Sequence, residues 1–278
     1  MSFLIFGLNY VFIGLFLIAL GMNSLIGLNA LLKPKWFQPL RESLTDLTLG
    51  YLPLGLCFVL VLFLQKRIFP WATLNSNFNS FQSRYYSEPA FACRGLVYIA
   101  LFAIFARLYR TGKKLNAPLC LATLLFFGSF ASYDWILSQA HDFHSTIFGL
   151  LIIVTGTLVV HALCLSRLRE GLAPNILIDL NNVHLTLIAL WAYLVIMQYI
   201  TVWSANLPEE SVYFKERFHG ILGTVASITL AAQIFIPIPL LLFKKLKQQL
   251  SFTRRLALYT MCLQALHLFW LLGGYHEY

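Results

Sequence analysis

From Phe3 to Leu31 the chain runs without one charged side chain. A helix in water needs a polar face, and this stretch has none to offer. At 1.5 Å per residue, about 20 apolar residues cross the roughly 30 Å of hydrocarbon in a bilayer. Seven further stretches meet that length: about 47–64, 90–108, 117–136, 145–166, 184–204, 218–243 and 256–273. None alternates with period two, so strands of a barrel are excluded and helices follow. The expected fold is all-α: a polytopic transmembrane helical bundle of about eight spans, one integral-membrane domain over residues 1–278. The chain is 59% hydrophobic and 11% charged, with mean hydropathy +0.74. A water-soluble domain of 278 residues could not bury that much apolar surface. The first apolar run lacks a basic leader and a small-residue cleavage site, so it reads as a retained helix. Pro53 and nearby glycines make the second span the least regular.

The net charge of +9 does not point to nucleic acid, because the basic residues fall in short connections between spans. Fourteen Lys and Arg lie in loops on one side and five on the other, with Arg94 near a helix start. By the positive-inside rule the richer side is cytoplasmic and both termini are periplasmic. Five cysteines (57, 93, 120, 164, 262) stand singly in apolar segments, a pattern of small buried side chains with no disulfide or metal spacing. Phosphate loops, nucleotide fingerprints, catalytic serine motifs and metalloprotease helices are absent from the sequence.

Ionisable groups inside a membrane are the first candidates for function. Asp134 closes the fourth span and His144 precedes the fifth, on the outer side. Asp134 can be read as a proton-exchanging or quinol-bonding carboxylate. It can equally be read as a structural partner of Arg94 that ties the third and fourth helices. His141, Asp142, His144, His219, His267 and His276 map to the same outer side, and His161 and His184 to the inner side. Histidine titrates near neutrality, which suits a proton relay, and a bound haem b is the weaker reading. Gln198 and Tyr199 are polar groups within the sixth span. Pro208 with Glu209 and Glu210 forms a good start for a surface helix. Pro237 and Pro239 interrupt the seventh span, where Gln233 could satisfy a freed carbonyl.

Three blocks, PAFACRGLVYIALF (89–102), SYDWILSQAHDFHSTIFG (132–149) and ALWAYLVIMQYITVWSANLPEE (189–210), together resemble one family. They are similar to the polysulfide-reductase-type (NrfD-like) membrane subunits of alternative complex III, a bacterial quinol:cytochrome c oxidoreductase. The second such subunit, the quinone-binding-like one, is the nearer match. The resemblance runs from KPKWFQPLRESL (33–44) to HLFWLL (267–272), nearly the whole chain. It implies a bundle with a four-helix core in the bacterial inner membrane and no haem or iron–sulfur cluster on this subunit. Implied partners are a homologous quinol-oxidising membrane subunit, an iron–sulfur protein and c-type cytochromes, with a terminal oxidase as a further contact. Quinone or quinol is the small ligand it implies, and the cofactors reside on partner subunits. The family usually has about ten spans, so one helix is expected to be missing at each end. Ala140, Asp142, Gln233, Gln264 and His267 depart from residues usual in the family.

The expectation is an accessory, non-redox subunit that supports assembly, proton conduction or quinone access. The residues expected around a polar cavity are Asp134, Arg94, His141, Asp142, His144, Gln198 and Tyr199; no metal ligands are expected. The rivals are a purely structural scaffold and an independent transporter or channel.

Overall fold

The computed structural model describes residues 3–73, 80–140, 143–205 and 208–273. Among these there is no strand, and eight helices are long and apolar enough to cross a membrane. They are α1 (Phe3–Leu32), α2 (Lys35–Ile68), α3 (Glu88–Arg110), α4 (Ala117–Gln139), α5 (Phe148–Ser166), α6 (Pro174–Ala205), α7 (Gly220–Leu242) and α8 (Leu250–Gly273). The chain is a multi-pass membrane protein. The first and last of these helices meet, the Tyr10 hydroxyl of α1 donating to the Ala265 carbonyl of α8 at 2.8 Å.

Three spans start earlier than their apolar runs. The second begins at Lys35 through a short 3-10 segment and the Arg41–Leu47 helix. The sixth begins at Pro174, where the apolar run starts only at 184. Its added turns are amphipathic: Leu177, Leu180, Asn181 and His184 are buried at helical spacing while Asp179 and Asn182 are exposed, the pattern of a helix emerging from lipid. The eighth starts at Leu250. Outside the spans, Pro208–Arg217 forms the expected short helix.

α5 is the axis of the bundle. In its most apolar window 83% of residues are buried, against 22–56% in the other spans. It packs on α1, α4, α6 and α8, and a helix apolar all round belongs in such a place. Without a hydrophobic force between helices in lipid, close approach through small residues holds them. Gly21 of α1 and Gly156 of α5 make the closest approach: a Cβ on Gly21 would lie 1.9 Å from the Gly156 carbonyl oxygen.

The first four spans share a core of aromatic rings. Trp135 is 1% exposed and meets Phe12, Phe16 and Phe58 at centroid distances of 5.0, 4.7 and 5.5 Å. Each such pair adds about 0.5–1.5 kcal/mol beyond its buried area. Trp71, from the connection between α2 and α3, enters the same core beside Phe69 and Phe91.

Candidate functional site

α4 ends at Trp135 and continues as one 3-10 turn, Leu137–Gln139. The carbonyls left open at such an end need donors, and two side chains supply them. Ser138 donates to the Asp134 carbonyl at 2.6 Å, and Gln139 Nε2 donates to the Trp135 carbonyl at 2.6 Å. Asn9 of α1 then donates to Gln139 Oε1 at 2.9 Å, tying this end to the first span. Trp71 Nε1 donates to Ser138 at 3.3 Å.

Asp134 sits in that last turn, 2% exposed, where the negative end of the helix dipole opposes an anion. Four donors compensate. Arg94 Nε reaches Oδ2 at 2.8 Å and its Nη2 reaches Oδ1 at 3.3 Å. The hydroxyls of Tyr85 and Tyr98 donate to Oδ1 and Oδ2, each at 2.9 Å. Arg94 is itself held: its Nη1 donates to the Tyr85 carbonyl at 2.7 Å, and its guanidinium carbon lies 3.8 Å from the Tyr85 ring centroid. Charge-assisted contacts of this two-toothed kind are the strong ones. The cluster therefore joins α3, α4 and the Ser80–Tyr85 helix at one end of the bundle. Both oxygens of the carboxylate are occupied, which makes Asp134 an anchor of the fold.

Burial, then the adjacent Asp134 charge, push the Tyr85 hydroxyl above its ordinary value near 10; burial chiefly does the same for Tyr86. With the folded value raised, this hydroxyl's contribution is whole below pH 10 and is lost as pH climbs past it. Alkaline difference absorbance between the protein and Tyr85→Phe should show no phenolate from Tyr85 as the pH passes 10 while the fold persists. Ionisation of that tyrosine at pH 10 or below would contradict the clamp.

The other expected site residues do not gather round Asp134. His144 is exposed. His141 and Asp142 lie outside the described residues, as does His276. Gln198 is buried on α6, and Tyr199 is half exposed, with its ring edge-on to Phe214 and Phe218 of the Pro208–Arg217 helix. α6 packs against α5, α7 and α8, so these two belong to the other half of the bundle. Gln233 does not satisfy the carbonyl freed at Pro237: it is fully buried and neither amide atom has a partner among the described residues.

A second polar cluster occupies that other half. His161 of α5 and His184 of α6 are both 0% exposed, with their Nδ1 atoms 3.3 Å apart. One imidazole donates and the other accepts. His184 Nε2 continues to Thr260 of α8 at 3.1 Å. Nearer the Lys- and Arg-rich end, Asn181 donates to Thr253 at 2.7 Å and to the Lys247 carbonyl at 3.1 Å. Toward the opposite end the α8 stripe continues through buried Gln264 and His267, the latter edge-on to Trp191 at 5.1 Å. Thr253, Thr260, Gln264 and His267 fall on one helical face, and fourteen residues of helix rise about 21 Å. His161 Nε2, both amide atoms of Gln264 and Thr229 Oγ1 on α7 are buried without partners among the described residues. Such groups in a bilayer are costly unless ordered water satisfies them.

Arg217 is a further group whose environment the sequence hid. It was countable as a loop charge, yet it is 2% exposed. Its guanidinium carbon stacks 3.8 Å from the Tyr213 ring centroid, and its carbonyl accepts from Trp270 Nε1 at 3.0 Å.

Among the described residues no three His, Cys, Asp or Glu converge as a metal site requires. No protein-family model and no curated protein matches this chain.

Proposed function

We propose that this chain is an accessory, non-redox membrane subunit of a quinol-oxidising, cytochrome-reducing respiratory complex of the alternative-complex-III type. It would lie in the bacterial inner membrane with both termini periplasmic. The class of complex rests on the three resembling sequence blocks. The accessory role is carried by one observation: in two of those blocks, Arg94, Tyr98, Asp134 and Trp135 are engaged with one another and with the aromatic core. Residues committed to holding a bundle together suit a supporting subunit. The partners in this reading are a homologous quinol-oxidising membrane subunit, an iron–sulfur protein and c-type cytochromes, which would carry the haem and clusters.

The buried row through His161, His184, Thr260, Gln264 and His267 supports a second role for the same subunit. The seven residues of helix from Thr260 to His267 rise about 10 Å, so this row is suited to relaying protons through the middle third of the hydrocarbon. In this reading proton traffic runs along α8, and Asp134 stands apart from it.

Affinity purification of the chain from its native membrane, followed by mass spectrometry, tests the proposal. The expected result is co-purification of a larger membrane homologue, an iron–sulfur protein and cytochromes with a c-type haem spectrum. A chain that purifies alone, or with transport activity of its own in liposomes, would overturn it. Within the assembled complex, His184→Phe should preserve assembly and cut quinol-linked proton release several-fold; unchanged release would remove the proton role and leave a scaffold.

A further inference from the structure

At the end of the bundle that carries most of the Lys and Arg, a cavity of about 260 Å³ opens between α1, the start of α2 and the end of α3. That is many times the ~10–15 Å³ that admits one water. Its lining combines polar and basic residues, Arg41, Lys113, Asn29 and Gln38, with hydrocarbon from Ile26, Phe37 and Leu115. Among the described residues no carboxylate lines it. The acid next in sequence, Glu42, is taken by Arg169 at 2.5 Å, while Arg41 and Lys113 form no ion pair among the described residues. The Tyr109 oxygen is buried and has no hydrogen-bond partner among the described residues.

The backbone builds this arrangement. α3 ends in a left-handed turn at Gly112, φ +67°. The Gly112 amide bonds back to Tyr109 and the Lys113 amide to Leu108, each at 3.0 Å. This closure satisfies the helix end and folds Lys113 back beside Tyr109. α1 ends at Leu32, and the chain returns through Phe37 and Arg41, bringing the second cation into the same lining.

We propose that this cavity binds an anionic glycerophospholipid: the phosphate held by Arg41 and Lys113, and the start of an acyl chain against Ile26, Phe37 and Leu115. Two cations with no ion-pair partner among the described residues select a phosphate oxygen acceptor. A soluble phosphate would gain nothing from the hydrocarbon, whereas a lipid uses both kinds of lining. Basic pockets between spans at the positively flanked face are where such headgroups are held. The site is independent of the respiratory reading, and its test does not depend on partner subunits.

The test uses the purified full chain in detergent, titrated with phosphatidylglycerol, phosphatidylcholine or inorganic phosphate and followed by native mass spectrometry and thermal unfolding. Phosphatidylglycerol should be retained at least ten-fold more tightly than phosphatidylcholine and should raise the unfolding temperature. Arg41→Gln with Lys113→Gln should abolish that preference. Lys244→Gln with Lys245→Gln, in a different basic connection, should leave it intact. Equal retention of the two lipids by the unaltered chain overturns the proposal, whether or not any variant folds. So does an undiminished preference in the Arg41/Lys113 variant. Protection by inorganic phosphate as strong as by phosphatidylglycerol would reassign the cavity to a soluble anion and overturn the lipid.

Discussion

Asp134→Ala should lower the stability of the folded chain by about 3–5 kcal/mol, the usual cost of removing one partner from a buried ion pair. The loss has several parts. Arg94, with only 21% of its side chain exposed, keeps the Tyr85 carbonyl and ring but loses its counter-charge. Tyr98 is left with a buried hydroxyl whose acceptor is gone, and the Ser80–Tyr85 helix loses one of its ties to α4. Asp134→Asn is isosteric yet turns an amide donor toward the donors of Arg94, so it should recover only part of the loss. Pairing Asp134→Ala with Arg94→Leu should be less damaging than Asp134→Ala alone, because no charge is then stranded. Denaturant unfolding in mixed micelles measures all three. A loss below about 1 kcal/mol for Asp134→Ala, or strict additivity in the double variant, would show that the pair is not a clamp.

The second large effect belongs to the α1–α5 crossing. Gly21→Ala places a methyl 1.9 Å from the Gly156 carbonyl oxygen, and Gly156→Ala places one 2.4 Å from that of Leu17. The atoms met first are backbone, so no rotamer change relieves the clash and the two helices must separate. Overpacking costs about 1–3 kcal/mol in cores that can adjust. This site adjusts poorly, so about 3 kcal/mol is expected for either alanine, and Gly21→Leu should give no folded protein. Gly14 is an internal control on the same helix: nothing lies within 4 Å of its Cβ position, so Gly14→Ala should be neutral or stabilising by up to about 1 kcal/mol. The same unfolding measurement reads all of them. Equal behaviour of Gly14→Ala and Gly21→Ala would disprove the crossing.

The spans were legible because a long uncharged run has one solution in lipid. Their starts were less so, since Asn181 and His184 look polar in sequence and become interior only when α6 projects past the hydrocarbon. Arg94 and Asp134 could be paired in advance because both lie near the same ends of consecutive helices. His161 and His184 carry a similar signal, since both map to the inner side of consecutive spans. They lie five residues before the end of α5 and ten after the start of α6, on antiparallel neighbours joined by one short connection, which puts both toward the same end of the bundle. The separation of Gln198 and Tyr199 from Asp134 was not legible, because it depends on which helices flank α5. The Gly21–Gly156 approach was hidden for the same reason: it depends on how two distant helices rotate about their axes.

The central position of α5 also sets an order of events during synthesis. Its mean hydropathy of 2.3 is ample for entry into the bilayer by itself, yet two of its neighbours, α6 and α8, are translated later. Until α8 arrives, the α5 face bearing His161, and Thr260's partner His184 on α6, must be covered by lipid or by a helper protein. The bundle thus closes around a helix already inserted, and a chain ending between Ser166 and Leu250 would leave buried polar groups such as His161 without the α6 and α8 residues that cover them.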